Sequence, residues 1–169
     1  FVQVVEAPGK TKDQLYVLLN YWFTSSFNDA NSKIQLNDKE LGTIIAHGYV
    51  EGVATHSGGI THYNVSIKPV IKCDLKQNKV RITYTLPFYI ANQAVGGGWL
   101  STLADSDTPP TEIEEKWTLD SCFPFAQKDK HKKASCKALI MANAYSQVIM
   151  DKIEECVKNG VSGNEGDNW

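Results

Sequence analysis

The order of hydrophobic periodicities along the chain constrains its fold more than any other feature. Residues 1–6 are extended, one amphipathic helix follows, several segments then alternate with period two, and residues 135–159 return to helical spacing. A strand buries one face and a helix buries one stripe, so these segments must share a core. The order predicts an α+β fold, a curved antiparallel sheet gripped by an N-terminal helix and a long C-terminal helix. About four or five strands are expected between the helices.

The first helix has a defined start and one apolar stripe. Thr11 is the predicted N-cap, and Gln14, three residues later, completes a capping box. Each large side chain that the helix buries contributes roughly 1.5–3 kcal/mol, so its apolar stripe is expected to face a core. The stripe consists of Leu15, Leu18, Leu19, Trp22 and Phe23, with Ser26 on the same line.

The clearest strand signal is an alternation over residues 61–75, which continues as a predicted hairpin to residue 88. With Gln77 and Asn78 as the turn, Asp74 lies opposite Arg81 on the outer face, where the pair contributes about 0.2–1 kcal/mol. The same register makes every inner-face pair apolar. These pairs are Leu75 with Val80, Cys73 with Ile82, Ile71 with Tyr84, Pro69 with Leu86, and Ile67 with Phe88.

The segment before this hairpin, residues 43–54, is predicted to be one strand whose even positions face inward, because those positions are mostly small. A two-residue turn at Gly58 and Gly59 would place Tyr63 on the same inner face. A loop of odd length would shift the register by one residue and bury Glu51, so the even loop is preferred.

Residues 91–110 are predicted to be a long loop, since a run of glycines, two acidic residues and two prolines cannot continue a strand. Extended structure is expected again over residues 111–119. There Ile113, Trp117 and Leu119 share one side, and Trp117 is assigned to the core.

The closing helix is predicted over residues 135–159 and ends at Gly160. Because the composition does not change along the chain, residues 1–159 are expected to form a single domain. Residues 160–169, rich in glycine, asparagine and acid, are expected to be a disordered tail. The helix is expected to bury Leu139, Met141, Ala142, Tyr145, Val148, Ile149, Ile153, Cys156 and Val157.

Charge and hydropathy exclude some classes of partner. The net charge of −2 gives no overall attraction to nucleic acid or to anionic lipid. No apolar run approaches the ~20 residues that span a bilayer. The chain begins at Phe1 rather than at methionine, which suggests that a leader was removed, so the absence of a leader is not evidence for a cytoplasmic location.

Four cysteines leave the redox state open. Cys122 and Cys136 flank a basic segment, and a bridge between them would contribute on the order of 3 kcal/mol. The alternative is that both stay reduced, as is expected for Cys73 and Cys156 on the core faces.

The sequence indicates no catalytic residue, no cofactor and no metal site, because the familiar nucleotide, hydrolase and metalloprotease motifs are absent. His47 and His62, with Glu51, could form a proton relay or a metal cluster, but polar residues on a solvated face explain them more simply. The basic run at residues 128–133 is treated likewise as a solvated linker rather than an anion site.

Several short motifs resemble one known family. The chain is similar to uncharacterised envelope proteins of gut anaerobes, described as a domain of unknown function with a TATA-binding-protein-like (TBP-like) fold. The resemblance covers roughly residues 2–90 and implies a helix-gripped antiparallel sheet and no established activity. It also implies export through a signal peptide to the periplasm, the outer membrane surface or the outside of the cell. It does not imply nucleic-acid binding, because the chain is slightly acidic and fold does not imply function. The motifs are Leu15-Tyr16, Trp22-Phe23, Ile34-Gln-Leu36 and Gly42-Thr-Ile-Ile-Ala-His-Gly48.

Two functions are consistent with this reasoning. The preferred one is a non-enzymatic binding domain of an exported envelope protein, which engages an unknown partner through the open sheet face or the loop near Trp99, with His47 and His62 on the partner surface. The alternative is a carrier of a small apolar ligand. Its cavity would be lined by Tyr63, Ile67, Ile71, Tyr84, Phe88 and Tyr145. The sequence does not determine the partner or the oligomeric state.

Overall fold

In a computed structural model of the chain, antiparallel strands and two helices follow the predicted order. The structure describes residues 1–27, 32–58, 61–95, 111–118 and 132–160. Over these ranges the α+β class, with its antiparallel strands and two helices, is confirmed. The elements are β1 (Val2–Glu6), α1 (Lys12–Ser26), β2 (Lys33–Asp38), β3 (Thr43–His47), β4 (Val50–Gly58), β5 (Thr61–Ile67), β6 (Val70–Lys76), β7 (Lys79–Thr85), β8 (Tyr89–Val95), β9 (Thr111–Trp117) and α2 (Lys132–Asn159).

The strands of the described chain form two sheets rather than one continuous sheet. One has the order β1-β7-β6-β3-β2 and the other the order β4-β5-β8-β9. The chain divides accordingly into two compact units. The first unit contains the five-stranded sheet, α1 and the part of α2 from Ala144 onward, and the second contains the four-stranded sheet and the part of α2 up to Asn143. A single domain over residues 1–159 stays a prediction.

The helix α1 begins as predicted. The Thr11 hydroxyl oxygen accepts a hydrogen bond from the Gln14 amide at 3.2 Å, and the Gln14 side-chain oxygen accepts one from the Thr11 amide at 2.9 Å. This reciprocal pair is a complete capping box. The buried residues of the helix are Leu15, Leu19, Trp22 and Phe23, whereas Leu18 is half-buried and Ser26 is exposed.

The β6–β7 hairpin has the predicted register as far as Tyr84. Asp74 pairs with Arg81, and the apolar pairs of Leu75, Cys73 and Ile71 form as expected. The two remaining predicted pairs are wrong, because β7 ends at Thr85 and Ile67 pairs instead with Tyr89 in the other sheet.

Both long predicted strands are divided by a change of sheet. Residues 43–54 form β3 and the first part of β4, and residues 61–75 form β5 and most of β6. At the first division a Cβ on Gly48 would lie 3.0 Å from a ring carbon of Phe27 and 3.2 Å from the ring of Pro69. The Gly48 amide also donates to the Pro69 carbonyl at 2.9 Å. A side chain here would force Phe27 and Pro69 to shift by a few tenths of an ångström, so glycine fits where the chain leaves the first sheet.

The predicted inner face holds for Ile44, Ala46 and Ala54, which are buried, but Gly52 is exposed. Gly52 has a φ of +62°, and the ladder between β4 and β5 shifts its register there. This irregularity also brings Val53 into the core.

The β4–β5 turn falls one residue later than predicted. Ser57 pairs with His62 and Gly58 with Thr61, so β4 continues through Gly58. Residues 54–58 of β4 are therefore each paired with a residue of β5 two positions further along than the predicted turn would give. Because side chains alternate with a period of two, this shift leaves their side chains on the predicted faces, and Ala54 still shares the inner face with Val65.

The second unit has its own core. Its sheet contributes large side chains, including the predicted core residue Trp117, whereas α2 contributes small ones. The helix can therefore lie close to the strands. The cluster comprises Val53, Ala54, Tyr63, Val65, Ile67, Tyr89, Ala91, Trp117, Ala134, Ala138 and Ala142.

The long helix α2 presents a different stripe from the one predicted. It begins three residues earlier, at Lys132, and ends before Gly160, whose φ of +88° is typical of a helix stop. Ala142, Ile153, Cys156 and Val157 are buried as predicted. The other five predicted core residues are not buried, and Ile149 among them is half-buried. Met141, Tyr145 and Val148 are exposed and Leu139 is half-buried, while Ala134, Ala138, Ala142 and Ser146 are buried.

The predicted loop at residues 91–110 begins too early, because residues 91–95 belong to β8. Paired on both sides, by β5 and by β9, this strand is central in its sheet despite a sequence with little strand propensity. The rest of that loop, Trp99, Leu119 and residues 161–169 of the predicted tail lie outside the described residues.

Candidate interaction surface

One face of the five-stranded sheet packs against the helices of the first unit, and the described residues of that unit leave the other face uncovered. The inner face is apolar and buried, and Gln3 on that face donates a hydrogen bond to Glu154 of α2. The opposite face, called the outer face below, carries the alternate residues. One row across it runs Val2, Thr83, Lys72, Ile45 and Leu36, and the next runs Val4, Arg81, Asp74, Thr43 and Asp38.

The outer face exposes apolar side chains at its two edges. Val2 and Val4 on β1 are 67% and 55% exposed, and Leu36 on β2 is 40% exposed. Both strands are edge strands of this sheet within the described chain. Apolar groups held in water beside charged ones are typical of surfaces that bind partners.

Asp74 organises the charges at the centre of the outer face. Its Oδ2 accepts hydrogen bonds from Nε and Nη2 of Arg81 at 3.2 and 2.8 Å. Its Oδ1 accepts one from the Thr43 hydroxyl at 3.1 Å and lies 3.0 Å from Lys72 Nζ. One carboxylate therefore fixes a guanidinium and an ammonium side by side.

Partial burial of Asp74 opposes its ionisation, but the hydrogen bonds from Arg81, Lys72 and Thr43 outweigh this effect and lower its pKa. At neutral pH the carboxylate is therefore ionised, and its charge is compensated by the two cations beside it.

Asp74→Asn is expected to lower the free energy of unfolding at neutral pH by about 1 kcal/mol. Since the pKa is lower in the folded state, the stabilisation is fully present above the unfolded-state pKa of about 3.9 and is lost as the pH falls through the folded-state value. Urea unfolding measured at a series of acidic pH values should therefore show a weaker pH dependence for this variant. Asp13→Asn is the control, because its exposed carboxylate makes only a 3.5 Å ion pair with Lys39. An equal effect of both substitutions would contradict the role given to Asp74.

Two lysines face each other at the end of the same hairpin. Lys76 pairs directly with Lys79 across the turn, and both side chains are exposed. Neither makes an ion pair with any residue that the structure describes, although Glu6 lies opposite Lys79 on β1. Like charges directly opposite each other destabilise a sheet.

We call the set Lys72, Lys76, Lys79 and Arg81, arranged around Asp74, the basic patch. It adjoins Val4 and includes a concavity of about 220 Å³ lined by Val4, Asp74, Lys76, Lys79 and Arg81. Four cations against Asp74 and the neighbouring Glu6 leave a local excess of two positive charges, in a chain whose net charge is −2. The hairpin register already predicted that Asp74 and Arg81 share the outer face, and the lysines could have been added by the same alternation.

The residues predicted to line a ligand cavity are divided between the two units. Ile71 and Tyr84 are buried in the core of the first unit, where Tyr145 is 36% exposed. Tyr63 and Ile67 belong to the core cluster of the second unit. Phe88, in that unit, is half-buried and lies 5.0 Å beneath the Lys116 ammonium group.

The two histidines predicted on a partner surface lie in different sheets, because β3 and β5 are not neighbours. His47 is hydrogen-bonded to Gln35 in the five-stranded sheet. His62 is hydrogen-bonded to Ser57 at 2.6 Å in the four-stranded sheet. The third predicted surface residue, Trp99, lies outside the described part of the chain.

The three cysteines within the described ranges are free thiols. Burial raises the pKa of Cys73, and it raises that of Cys156 to about 11. Cys136 is half-buried, and Cys122 lies outside the described residues. The buried thiols therefore stay protonated and behave as small apolar groups.

Metal-binding clusters and membrane-spanning helices are both absent from the described residues. These residues contain no group of three or more His, Cys, Asp or Glu residues placed to hold a metal ion. Nor does any described helix combine the length and the apolar character that crossing a membrane requires.

Glu154 is the other described carboxyl group with a lowered pKa, and a hydrogen bond from Lys158 on the same helix is the main cause of the shift.

Two solved structures share the fold of this chain and show its fold class. A TBP-like protein from Parabacteroides distasonis aligns with a TM-score of 0.60 at 13% identity, covering 94% of this chain and 92% of that one. A DUF4468 family protein from Bacteroides ovatus aligns with a TM-score of 0.55 at 13% identity, covering 91% and 84%. At these identities the likeness shows the fold alone, so the chain is a protein of the TBP-like fold class.

The family follows from residues 1–95, which match the model of the domain of unknown function (DUF4468) with TBP-like fold. Since this match covers more than half of the chain, the protein belongs to the DUF4468 family. The predicted family resemblance is thereby confirmed. No curated protein matches the chain.

Proposed function

We propose that the protein is a non-enzymatic binding domain of an exported envelope protein, and that it engages a macromolecular partner through the outer face of its five-stranded sheet. The observation that carries the proposal is the combination of Val2, Val4 and Leu36, exposed on this face, with the basic patch between them. Surfaces of this composition suit recognition, because apolar contacts supply binding energy and charges select the partner.

The arrangement of titratable groups supports a non-enzymatic role. The described groups with displaced pKa values are two buried thiols and two carboxylates in ion pairs. Each displacement has a structural cause. The hydroxyl of Ser57 is hydrogen-bonded to the imidazole of His62, but both side chains are exposed. Export is proposed because the family resemblance implies a signal peptide.

The proposal is tested in the native host by replacing Val2 or Tyr21 with the photoreactive residue p-benzoylphenylalanine. Both positions are exposed in the first unit, but Val2 lies on the outer face and Tyr21 on helix α1. Irradiation is expected to join a macromolecule to the Val2 site and none to the Tyr21 site.

Native mass spectrometry of the unmodified protein from the same host provides the contrast. A co-purifying small molecule, with no crosslink at Val2, would replace the binding role by the carrier alternative. Fractionation of the host would test export, and protein confined to the cytoplasm would contradict that part of the proposal.

A further inference from the structure

We infer that the basic patch binds an acidic segment of a partner protein, with carboxylates of the partner on Arg81, Lys76 and Lys79 and its apolar side chains on Val2 and Val4. This inference deepens the proposed function and rests on it. Four observations in the first unit carry the argument.

The first observation is that the strongest donor of the patch is already oriented. Arg81 directs two of its N–H groups at Asp74, and a guanidinium carries five. The remaining donors stay available on a side chain that is 57% exposed. Because Asp74 holds the side chain in place, a second carboxylate binds Arg81 with a smaller loss of conformational entropy.

The second observation is the unpaired charge at the turn. Lys76 and Lys79 face each other across the hairpin, without an ion pair to any described residue. In the free protein this pair is repulsive. An anionic group placed between the two ammonium groups would remove the repulsion. Binding of an anion is therefore favoured both by the loss of this repulsion and by direct attraction.

The third observation is the apolar margin. Val4 lies directly beside Arg81 in the ladder, and Val2 lies beside Thr83 one row away. A ligand that covers the patch therefore also meets two exposed aliphatic side chains. A protein segment that contains both acidic and apolar residues matches this pattern, whereas a free phosphate or carboxylate matches only the cations.

The fourth observation is the modest size of the charge. Asp74 and Glu6 reduce the local excess to two positive charges, and the whole chain is slightly acidic. Nucleic acids carry one negative charge per ~1.7 Å of duplex and require longer basic tracks. Carboxylates on a short peptide suit the fork of a single arginine flanked by lysines.

The inference is tested by titrating the purified protein with a short synthetic peptide rich in Glu and Val, alongside a peptide of the same length in which Gln replaces Glu. Binding is expected for the Glu peptide only, and it is expected to weaken as salt is raised. Lys76→Glu is expected to weaken binding about tenfold or more, through loss of attraction and new like-charge repulsion. Lys152→Glu makes the same change on an exposed position of α2 in the same unit and should leave binding unchanged.

Thermal unfolding of the two variants supplies an independent readout. Lys76→Glu places a carboxylate opposite Lys79, so its melting temperature is expected to rise by roughly one to a few degrees in the absence of peptide. A variant that becomes more stable while it loses binding cannot owe the loss to misfolding. Arg81→Gln should also weaken binding, without this gain in stability.

Several outcomes would overturn the inference. These are equal binding of both peptides, an equal effect of Lys152→Glu and Lys76→Glu, and tighter binding to heparin or to anionic lipid vesicles than to the Glu peptide. If any of them occurs while the crosslink from Val2 is still obtained, the assigned partner chemistry fails and the proposed function stands. Loss of the crosslink would instead remove the surface itself.

Discussion

Phe23→Ala is expected to lower the free energy of unfolding by about 3–5 kcal/mol. Phe23 is fully buried on α1, and its ring lies 5.1 Å from that of Trp22 and 5.4 Å from that of Phe27. Truncation removes these contacts and leaves a cavity that the two aromatic neighbours cannot fill. Urea unfolding followed by circular dichroism measures the loss.

Tyr21→Ala is the matched control, because Tyr21 is an aromatic residue on the same helix but is 57% exposed. Its effect is expected to stay within about 0.5 kcal/mol. If Phe23→Ala does not fold, Phe23→Leu gives a smaller and measurable loss at the same position. Equal losses for Phe23 and Tyr21 would show that α1 does not pack against the sheet as described.

Ile82→Ala is expected to lower the free energy of unfolding by about 2–5 kcal/mol. Ile82 lies in the middle of β7, is fully buried, and pairs with Cys73 on one side and Gln3 on the other. The site cannot collapse easily, because both neighbouring strands are held by their own ladders. Denaturant midpoints at a constant slope would report the loss.

The same substitution at Ile113 is the control for this experiment. Ile113 lies on β9, an edge strand of the described four-stranded sheet, and is 43% exposed, although the sequence places it on the same side of the strand as the buried Trp117. Ile113→Ala is expected to cost less than about 1 kcal/mol. A cost equal to that of Ile82→Ala would contradict the assignment of β9 to a sheet edge.

Local features of the fold could be predicted from the sequence. The capping box at Thr11 involves residues three apart, and the β6–β7 register is fixed by a two-residue turn and three apolar pairs. In both cases the physical cause lies within a few residues of its effect. The α+β class follows from such elements, since they need a common core.

Other features depend on contacts between distant segments. The alternation of residues 61–75 does not show that β5 and β6 join different sheets, because a strand in either sheet requires the same alternation of apolar and polar side chains. The stripe of α2 was assigned mainly to large residues, with Ala142 as an exception, whereas close packing on the strands also selects Ala134 and Ala138. Hydrophobicity alone assigns the largest apolar side chains to the core. A helix that lies close to a sheet, however, has room only for small side chains at the contact.

The candidate surface could be predicted in part. Asp74 and Arg81 were placed opposite each other on the outer face, and the structure confirms the pair. The role of the basic patch was missed because each lysine by itself looks like an ordinary solvated residue. The repulsive pairing of Lys76 with Lys79 becomes evident only when the ladder is read together with the ion pairs of the described residues.

The pairing of β1 with β7 determines when the protein can fold during synthesis. Val2 lies opposite Thr83, so the five-stranded sheet cannot close until most of the first half of the chain has left the ribosome. Its core is completed only by Ile153, Cys156 and Val157 near the end of α2. The first unit is therefore expected to remain unfolded until residues 153–157 of α2 have been synthesised, and its folding rate should be set by these long-range contacts.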